Sequence, residues 1–390
     1  MSKYDKIISA INEQTNFLEM VKAGIKPEET KKSVIELLEP YFDNRQMLEK
    51  FAIDCLMSDS VLLVKIRRNN FLFEKFKKCL ETYRSAKNKN KKDCFESCAF
   101  FLNSIAETEI KFWSVANLEV DKNKLELEDA LHECLKNVGE IIEGLTRPFL
   151  KAFLCQVRIS CGLSELNSVK EMDLGQVVTE LIKRSNCAEL FAPPPWNISL
   201  SQWRNIAYHH SAKIKDDKMV CMYGRGNNLK QIELSKNEMV DAVRMIVNVY
   251  CVLRLVYTFF YIDNNQDIIK FATFPEKEPR EESKFLNLTI GLASQGFEVV
   301  EINKNIEEAK LIIRDVSDLD MRQRIAHASQ FLFPFWFATH SKNIVIEYRE
   351  KNNTPKSLMS IDNETCERIS NGELEELELA RRFRIVTLNK

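Results

Sequence analysis

"SQWRNIAYHHSAK", residues 201–213, decides how the middle of this chain is interpreted. Ser199 and Ser201 are favourable N-caps, so the stretch predicts a helix that begins near one of them. Two short alternating runs, "KMVCMYG" and "LKQIEL", follow and are joined by "RGNN", which is typical of a β-hairpin. The Ser-x-x-Glu of "SKNE" then predicts the capped start of a long apolar helix. Two more helices are predicted upstream, in "LKNVGEIIEGLTRPFLKAFLCQVRIS", with a kink at Pro148, and in "DLGQVVTELIKRSN". The order predicts a four-helix bundle with an inserted β-hairpin.

The two faces of the predicted helix differ in polarity. Trp203, Ala207 and His210 are spaced as i, i+4 and i+7, so they share one stripe, which we expect to be buried around the tryptophan. Asn205 and His209 lie four residues apart on another face, one above the other. His210 is therefore expected to pack in the core, and His209 to face a pocket.

The sequence on either side of the bundle predicts three further regions. Residues 1–135 repeat apolar residues at helical spacing and predict a helical N-terminal domain, which the bundle follows at 136–262. Residues 263–283 are polar and proline-containing and predict a linker. Residues 284–390 predict a small α/β domain, with strands expected in "FEVVEI", "KLIIRDV", "NIVIEY" and "RIVTL". The predicted fold class is therefore mainly α.

Composition places the chain among ordinary globular proteins. Of its 390 residues 45% are hydrophobic and 29% charged, and it has only ten glycines and ten prolines, a balance that favours helices. The formal net charge is −1, so no global positive field attracts a nucleic acid, and a polyanion would need a local basic patch. Residues 245–262 approach membrane-spanning length, but Asn248 and Arg254 interrupt them. We therefore expect a buried bundle helix and no membrane association.

The eleven cysteines are scattered and include no Cys-x-x-Cys pair. Cys94 and Cys98 are one helical turn apart with no histidine near them, so we expect reduced thiols packed in helices and no metal site. Reduced thiols, together with a start at "MSKYDKIISA" that does not resemble a signal peptide, predict a cytoplasmic protein. No cofactor is expected, and the C-terminal region carries no glycine-rich phosphate loop.

Arg204, Asn205 and His209 together have the chemistry that phosphodiester cleavage requires. A histidine titrates near neutral pH and can take a proton from one oxygen or give one to another. An arginine stays cationic and can bind phosphate oxygens as negative charge builds in the transition state. An asparagine can orient the imidazole or hydrogen-bond a phosphate oxygen. Because ribose supplies its own nucleophile, the 2′-hydroxyl, this chemistry needs no metal.

"RNIAYH", residues 204–209, has the form Arg-Asn-x-x-x-His and resembles the motif of HEPN domains (higher eukaryotes and prokaryotes nucleotide-binding). The order of elements over roughly residues 136–262 is similar to the layout of that fold. The resemblance implies a metal-independent endoribonuclease of toxin or antiviral defence type, acting as a homodimer whose active site is composite. It implies that Arg204 binds and polarises the phosphate and that His209 is the general acid and base. It gives Asn205 an orienting role in the site. RNA, with tRNA as one candidate, is the implied partner, and a regulatory protein partner is a further expectation.

Several alternatives stay open at this point. His210 and Tyr208 are secondary candidates for the polar roles in the site. Arg322 and His327, in "MRQRIAHAS", satisfy the looser form of the motif, without the asparagine and outside the bundle. A HEPN-like scaffold that binds RNA, a nucleotide or a protein partner without cleavage is the second interpretation. In a third, the C-terminal region carries the main activity and the bundle only dimerises.

Overall fold

The computed structural model describes residues 17–53, 55–116, 125–163, 166–209, 211–224, 226–273, 281–375 and 378–388. The chain divides into two compact units. We call one the helical unit, formed by residues 40–48 and 62–278. We call the other the sheet unit, formed by the described parts of residues 1–39, 49–61 and 279–390. The mainly α fold class predicted from the sequence is confirmed.

This division differs from the predicted one at both ends of the chain. The boundary predicted between residues 135 and 136 falls inside the helical unit, because the helices before it pack against those after it. Residues 17–39 belong with the sheet unit, where Val21 lies against Gly296. Of the linker predicted at 263–283, the described part up to 273 holds two short helical segments, and 274–280 lie outside the described residues.

Helices form most of the described chain before residue 200. In chain order they are α1 (Phe17–Lys22), α2 (Pro27–Leu38), α3 (Arg45–Phe51), α4 (Met57–Arg67), α5 (Asn70–Lys89), α6 (Lys91–Ala116), α7 (Leu127–Gly139), α8 (Arg147–Ser160), α9 (Leu166–Glu171) and α10 (Leu174–Arg184). Single 3₁₀ turns lie at Glu39–Tyr41 and Ala188–Leu190.

The second half of the helical unit contains α11 (Leu200–Tyr208), the strands β1 (Ala212–Lys215), β2 (Lys218–Tyr223) and β3 (Lys230–Leu234), the long helix α12 (Lys236–Asp263) and the short α13 (Asn265–Ile268). 3₁₀ turns lie at Gly226–Asn228 and Ile269–Phe271. The hairpin predicted from "KMVCMYG" and "LKQIEL" is formed by β2 and β3. The sequence did not reveal β1, which pairs with β2 through a two-residue turn. Asp216 and Asp217 at that turn both have positive φ, as a type I′ turn requires.

The core of the helical unit forms where α5, α6, α8 and α12 pack together. Aromatic rings fill it, and Tyr83 of α5 contacts both Phe153 of α8 and Phe260 of α12, with ring centroids 6.0 and 5.0 Å apart. The capping box predicted at the start of α12 is present, since Oγ of Ser235 accepts from the backbone N–H of Glu238 and the backbone N–H of Ser235 donates to the carboxylate of Glu238. By length and apolarity α12 could cross a membrane, but 61% of its most apolar window is buried within the protein. The predicted buried helix is what the structure contains.

The helix predicted to kink at Pro148 changes form just before that proline. Residues Glu140–Thr146 are π-helical and connect α7 to α8. Pro148 cannot donate a backbone hydrogen bond and its ring crowds the preceding turn, which favours such a widened segment. The hydroxyl of Thr146 donates to the carbonyl of Ile141 at 2.8 Å and the N–H of Arg147 donates to Ile142, so these carbonyls keep partners. The π segment therefore lies in the turn before Pro148, the residue that favours it.

The sheet unit is built on five strands in sequence order. They are β4 (Phe297–Lys304), β5 (Glu308–Asp315), β6 (Asn343–Arg349), β7 (Pro355–Asp362) and β8 (Arg384–Thr387). All neighbours are antiparallel except β5 and β6. The helices that belong to the same unit after residue 280 are α14 (Glu281–Ser294), α15 (Met321–Ser329), α16 (Leu332–Thr339), α17 (Asn363–Ser370) and α18 (Leu379–Arg382). The four predicted strands are present, while β7 and α16 were not predicted.

A buried ion pair lies beneath this sheet. Arg324 of α15 donates from Nε and Nη2 to the carboxylate of Asp315 at 2.8 and 3.1 Å, and both side chains are almost fully buried. The hydroxyl of Tyr348 donates to the same carboxylate at 2.8 Å. The guanidinium also stacks on Phe297, 3.9 Å from the ring centroid. These contacts join α15 to the middle of the sheet.

Candidate functional site

Helix α11 carries the candidate motif, and its local sequence fixes where it begins. Ser199 is the N-cap and accepts a hydrogen bond from the N–H of Gln202 at 3.3 Å. Trp203 is buried as predicted, but its buried neighbours on the helix are Leu200 and Ile206. The predicted partner Ala207 is only half-buried, because α11 presents the i, i+3, i+6 stripe to α7 and to β2. His210, expected in the buried stripe, lies outside the described residues.

A groove with a volume of about 730 Å³ separates α11 from α10. This volume is within the range of ~300–1,000 Å³ in which small ligands bind. Arg204 and Asn205 form part of its α11 wall, together with Ser201 and Gln202. The other wall comes from residues 173–184 and contributes Asp173, Leu174, Gly175, Gln176, Thr179, Glu180, Lys183 and Arg184.

The guanidinium of Arg204 is held on three sides. Its Nε donates to Oε1 of Glu143 at 2.7 Å, and its Nη1 donates to Oδ1 of Asn205 at 3.2 Å. Its central carbon lies 5.4 Å from the ring centroid of Tyr208. The side chain is 35% exposed, so it is oriented but still reached by solvent.

Asn205 has its amide orientation determined by this contact. Because Oδ1 accepts from Arg204, the Nδ2 group is the part of the amide that remains as a donor. A donor suits a phosphate oxygen. Of the two roles considered for this residue, orienting an imidazole or hydrogen-bonding phosphate, the geometry favours the second.

Glu143 is a site residue that the sequence did not reveal. It lies in the π segment before α8, is 17% exposed, and accepts from Arg204 through one oxygen and from Arg147 at 3.1 Å through the other. The local signal was its i, i+4 spacing to Arg147, which is typical of a surface pair. Its contact with Arg204 spans 61 residues and depends on how α7 and the π segment pack against α11.

Tyr208 is half-exposed and its ring lies over Gly139, where an added Cβ would come within 3.0 Å of it. Partial burial raises the pKa of its hydroxyl, and the nearby charges of Glu143 and Glu140 raise it further. The phenol therefore stays protonated at neutral pH and can donate a hydrogen bond. Its ring lies 5.4 Å from the guanidinium carbon of Arg204, close enough for a cation–π contact.

His209 is the C-cap of α11, and its side chain is exposed. Its backbone N–H donates to the carbonyl of Asn205 at 3.0 Å, one turn earlier. Among the described residues, the groove lining includes Arg204 and Asn205 but not His209. The structure thus brings together two of the three predicted catalytic residues. It leaves the imidazole in solvent at the end of the same helix.

Three cations and two carboxylates line the groove, so its lining carries a net charge of +1 on a chain whose net charge is −1. Glu180 binds Arg184 at 3.0 Å and also binds Arg158, whose hydrogen bond is the main cause of a lowered pKa for that carboxyl. Lys183 forms no ion pair with any residue that the structure describes. The groove therefore offers an unpaired ammonium and, beside it, guanidiniums that acids hold in place.

Arg322 and His327 do not form a comparable pair. Arg322 is exposed, whereas His327 is half-buried and packs edge-on against Phe297 with ring centroids 6.2 Å apart. Burial, helped by the charge of Arg324, lowers the pKa of His327. The two side chains therefore occupy different environments on α15, where the structure shows packing rather than a site.

Within the described ranges, no group of three or more His, Cys, Asp or Glu side chains could hold a metal ion. Cys94 and Cys98 are both buried free thiols, as expected from their helical spacing. No protein-family model, no curated protein and no solved structure matches the chain.

Proposed function

We propose that the protein is a metal-independent endoribonuclease with a HEPN-like site at Arg204, Asn205 and His209. The observation that carries the proposal is the groove beside α11. There a fixed guanidinium and an amide donor lie side by side in a cleft of nucleotide size. The motif and the order of helices and hairpin around it support the same family. By that resemblance the enzyme is of toxin or antiviral defence type, and the described cysteines, which form no disulfide with one another, agree with a cytoplasmic setting.

The proposed reaction is a transesterification within RNA. The ribose 2′-oxygen attacks the adjacent phosphorus, and the bond from phosphorus to the 5′-oxygen of the next nucleotide breaks. The 2′-hydroxyl proton leaves to a general base, and the departing 5′-oxygen receives a proton from a general acid. The products are a 2′,3′-cyclic phosphate and a 5′-hydroxyl. Arg204 and the Nδ2 group of Asn205 stabilise the extra negative charge on the phosphoryl oxygens.

His209 supplies the proton transfers, and it requires a second copy of the chain to do so. In one copy the imidazole is exposed at the end of α11 rather than on the groove lining. A homodimer that places His209 of each copy at a shared cleft completes the site. This arrangement is the composite one that the family resemblance implies.

The central test is RNA cleavage by the purified protein in EDTA, scored by the 2′,3′-cyclic phosphate product. Arg204→Ala is expected to lower kcat about 10²- to 10³-fold, as the loss of a transition-state donor does. His209→Ala is expected to lower it about 10²- to 10⁴-fold. Arg244→Ala, an exposed arginine of α12, and His132→Ala, an exposed histidine of α7, are matched controls that should leave the rate unchanged. Cleavage that survives both site substitutions would remove the proposal.

The composite site has its own test. A mixture of Arg204→Ala and His209→Ala subunits is expected to regain part of the activity, because a mixed dimer holds one intact Arg204 and one intact His209. If the two variants stay inactive together although they exchange subunits, then each site is built within one chain.

The second candidate function is a HEPN-like scaffold that binds RNA, a nucleotide or a protein partner without cleaving RNA. The observation that favours it is the position of His209 outside the groove lining. Tight binding of RNA by the wild-type protein, with no cleavage in the assay above, would select this function.

A further inference from the structure

We propose that Glu143 is a positioning residue for Arg204, holding the guanidinium so that its outer edge meets the phosphate. The inference rests on the proposed function and adds to it a residue outside the motif. It also gives the π segment before α8 a role in the site.

The first argument is the geometry of the bond. An arginine has five N–H donors, and Glu143 takes only the one on Nε, while Asn205 takes one from Nη1. The remaining donors, one on Nη1 and two on Nη2, form the outer edge that binds phosphate oxygens. A carboxylate that bound Nη1 and Nη2 together would occupy that edge. The observed contact instead uses Nε and leaves Nη2 and one N–H of Nη1 open to a phosphate.

The second argument is entropy. A solvent-exposed arginine samples many rotamers, and fixing it costs about 2 kcal/mol. In the free protein Glu143, Asn205 and Tyr208 already restrict Arg204. The substrate therefore meets an oriented guanidinium, and less binding free energy is lost in ordering it.

The third argument concerns charge. A lone carboxylate beside Arg204 would cancel the positive charge that the site needs. Glu143 also binds Arg147, at 3.1 Å, so the three groups together carry one net positive charge. The carboxylate can thus orient Arg204 without neutralising the groove.

The π segment places Glu143 for this contact. The glutamate lies between the last residue of α7, Gly139, and Pro148 near the start of α8, within a widened turn that packs against α11. The proline that widens the turn thereby influences where the carboxylate points. Function and backbone irregularity coincide at this segment.

The experiment is a kinetic double-mutant cycle on the full chain. Glu143→Ala is expected to lower kcat/KM for RNA cleavage about 10- to 100-fold, the scale of a misplaced catalytic group. Glu143→Gln, which keeps an oxygen able to accept from Nε, is expected to recover most of this loss. In an Arg204→Ala background, Glu143→Ala should cause no further loss, because the group it positions is gone. Glu140→Ala, in the same π segment, is the matched control.

A structural role for Glu143 predicts a different pattern. Its removal would then lower the rate by the same factor with and without Arg204, in step with a lower unfolding temperature, and that result would overturn the inference. A rate increase in Glu143→Ala would overturn it as well, since the carboxylate would then be restraining Arg204 from its target.

The proposed function and this inference can fail separately. If the wild-type protein does not cleave RNA, the same cycle is measured on the Kd for a 2′-O-methylated RNA, which lacks the attacking hydroxyl. Non-additive losses in binding would keep Glu143 as a positioning residue for a phosphate-binding Arg204, without the nuclease. Additive losses, or no binding at all, would reject the inference. Normal cleavage that Glu143→Ala leaves unchanged would reject the inference and keep the nuclease.

Discussion

Arg324→Met is the substitution that we expect to destabilise the fold most, although the nearby Arg322 is the arginine that satisfies the looser form of the motif. The guanidinium of Arg324 is 2% exposed and donates twice to the 4% exposed carboxylate of Asp315. Methionine has a similar reach and no charge, so the substitution leaves that carboxylate buried without its counter-ion. Losing one partner of a buried ion pair costs about 3–5 kcal/mol.

Other contacts of Arg324 and Asp315 adjust this magnitude. Nη2 of Arg324 also donates to the carbonyl of Gln295 at 2.6 Å, and a buried acceptor left without a donor costs about 1–3 kcal/mol. In the other direction, Asp315 keeps hydrogen bonds from Tyr348 at 2.8 Å and from the N–H of Ser317 at 2.9 Å. Nη1 of Arg324 is buried without a partner among the described residues, so the pair is not fully satisfied at the start. We therefore expect a loss of about 3–5 kcal/mol in the free energy of unfolding of the sheet unit.

The assay is urea unfolding monitored by hydrogen–deuterium exchange. Peptides from β5 and β6 report the unfolding of the sheet unit separately from that of the helical unit. Arg322→Met is the matched control, since this residue is on the same helix but exposed, and surface substitutions change stability by about 0.5 kcal/mol or less. A double variant with Asp315→Leu is expected to regain part of the loss, because no charge is then left unpaired. If Arg324→Met costs no more than Arg322→Met, the reasoning from buried charge is wrong.

Three further predictions concern two glycines, a histidine and the thiols. Gly144→Ala is expected to stabilise the helical unit by about 0.5–1 kcal/mol, whereas Gly139→Ala should lose that gain because its Cβ would press on the ring of Tyr208; thermal unfolding of the two variants compares them. Burial lowers the pKa of His327 from 6.5, so the folded state resists protonation while the unfolded state accepts it. The contribution of His327 to the stability of the sheet unit should therefore be fully present above pH 6.5 and be lost as the pH is lowered below it. His327→Gln should make this loss of stability with falling pH shallower. Under native conditions an alkylating reagent, with sites read by mass spectrometry, should label the exposed thiols before the buried ones; the exposed thiols are Cys55 and Cys161.

Local patterns predicted the elements whose signals are contained in a few consecutive residues. The start of α12 was read from its Ser-x-x-Glu capping box, and the β2–β3 hairpin from its alternation and its glycine-containing turn. In both cases one turn of helix or one hairpin contains both partners of the interaction. Trp203 is buried as expected, but Ala207, the partner that the i, i+4 spacing predicted for it, is only half-buried.

Three elements could not be predicted because a buried serine, a proline or an unusual turn hid their local pattern. Strand β7 alternates inward at Ser357, Met359 and Ile361, but the fully buried serine hides the period of two from a search for apolar residues. Helix α16 carries Pro334 in its first turn, a position that tolerates proline although the residue reads as a helix breaker. Strand β1 depended on a turn made by two aspartates rather than by glycine.

Contacts between distant parts of the chain could not be read from local periodicity at all. The packing of α5 and α6 against α8 and α12 placed the N-terminal helices in the same unit as the predicted bundle. Similarly, the partner of Arg204 is Glu143 rather than a residue near the motif. Sequence patterns pointed to candidate side chains, and tertiary packing decided which of them meet.

The contrast between Arg324 and Arg204 gives the proposed site a physical criterion. Both bind a carboxylate through Nε, at 2.8 and 2.7 Å, but the first side chain is 2% exposed and the second 35%. A buried pair holds the fold strongly against removal of one partner, whereas a pair that solvent reaches contributes about 1 kcal/mol or less. Arg204→Ala should accordingly leave the unfolding free energy nearly unchanged while kcat for the proposed RNA cleavage falls about 10²- to 10³-fold. If instead this variant loses much of its stability, Arg204 belongs to the packing of α11 and not to chemistry in the groove.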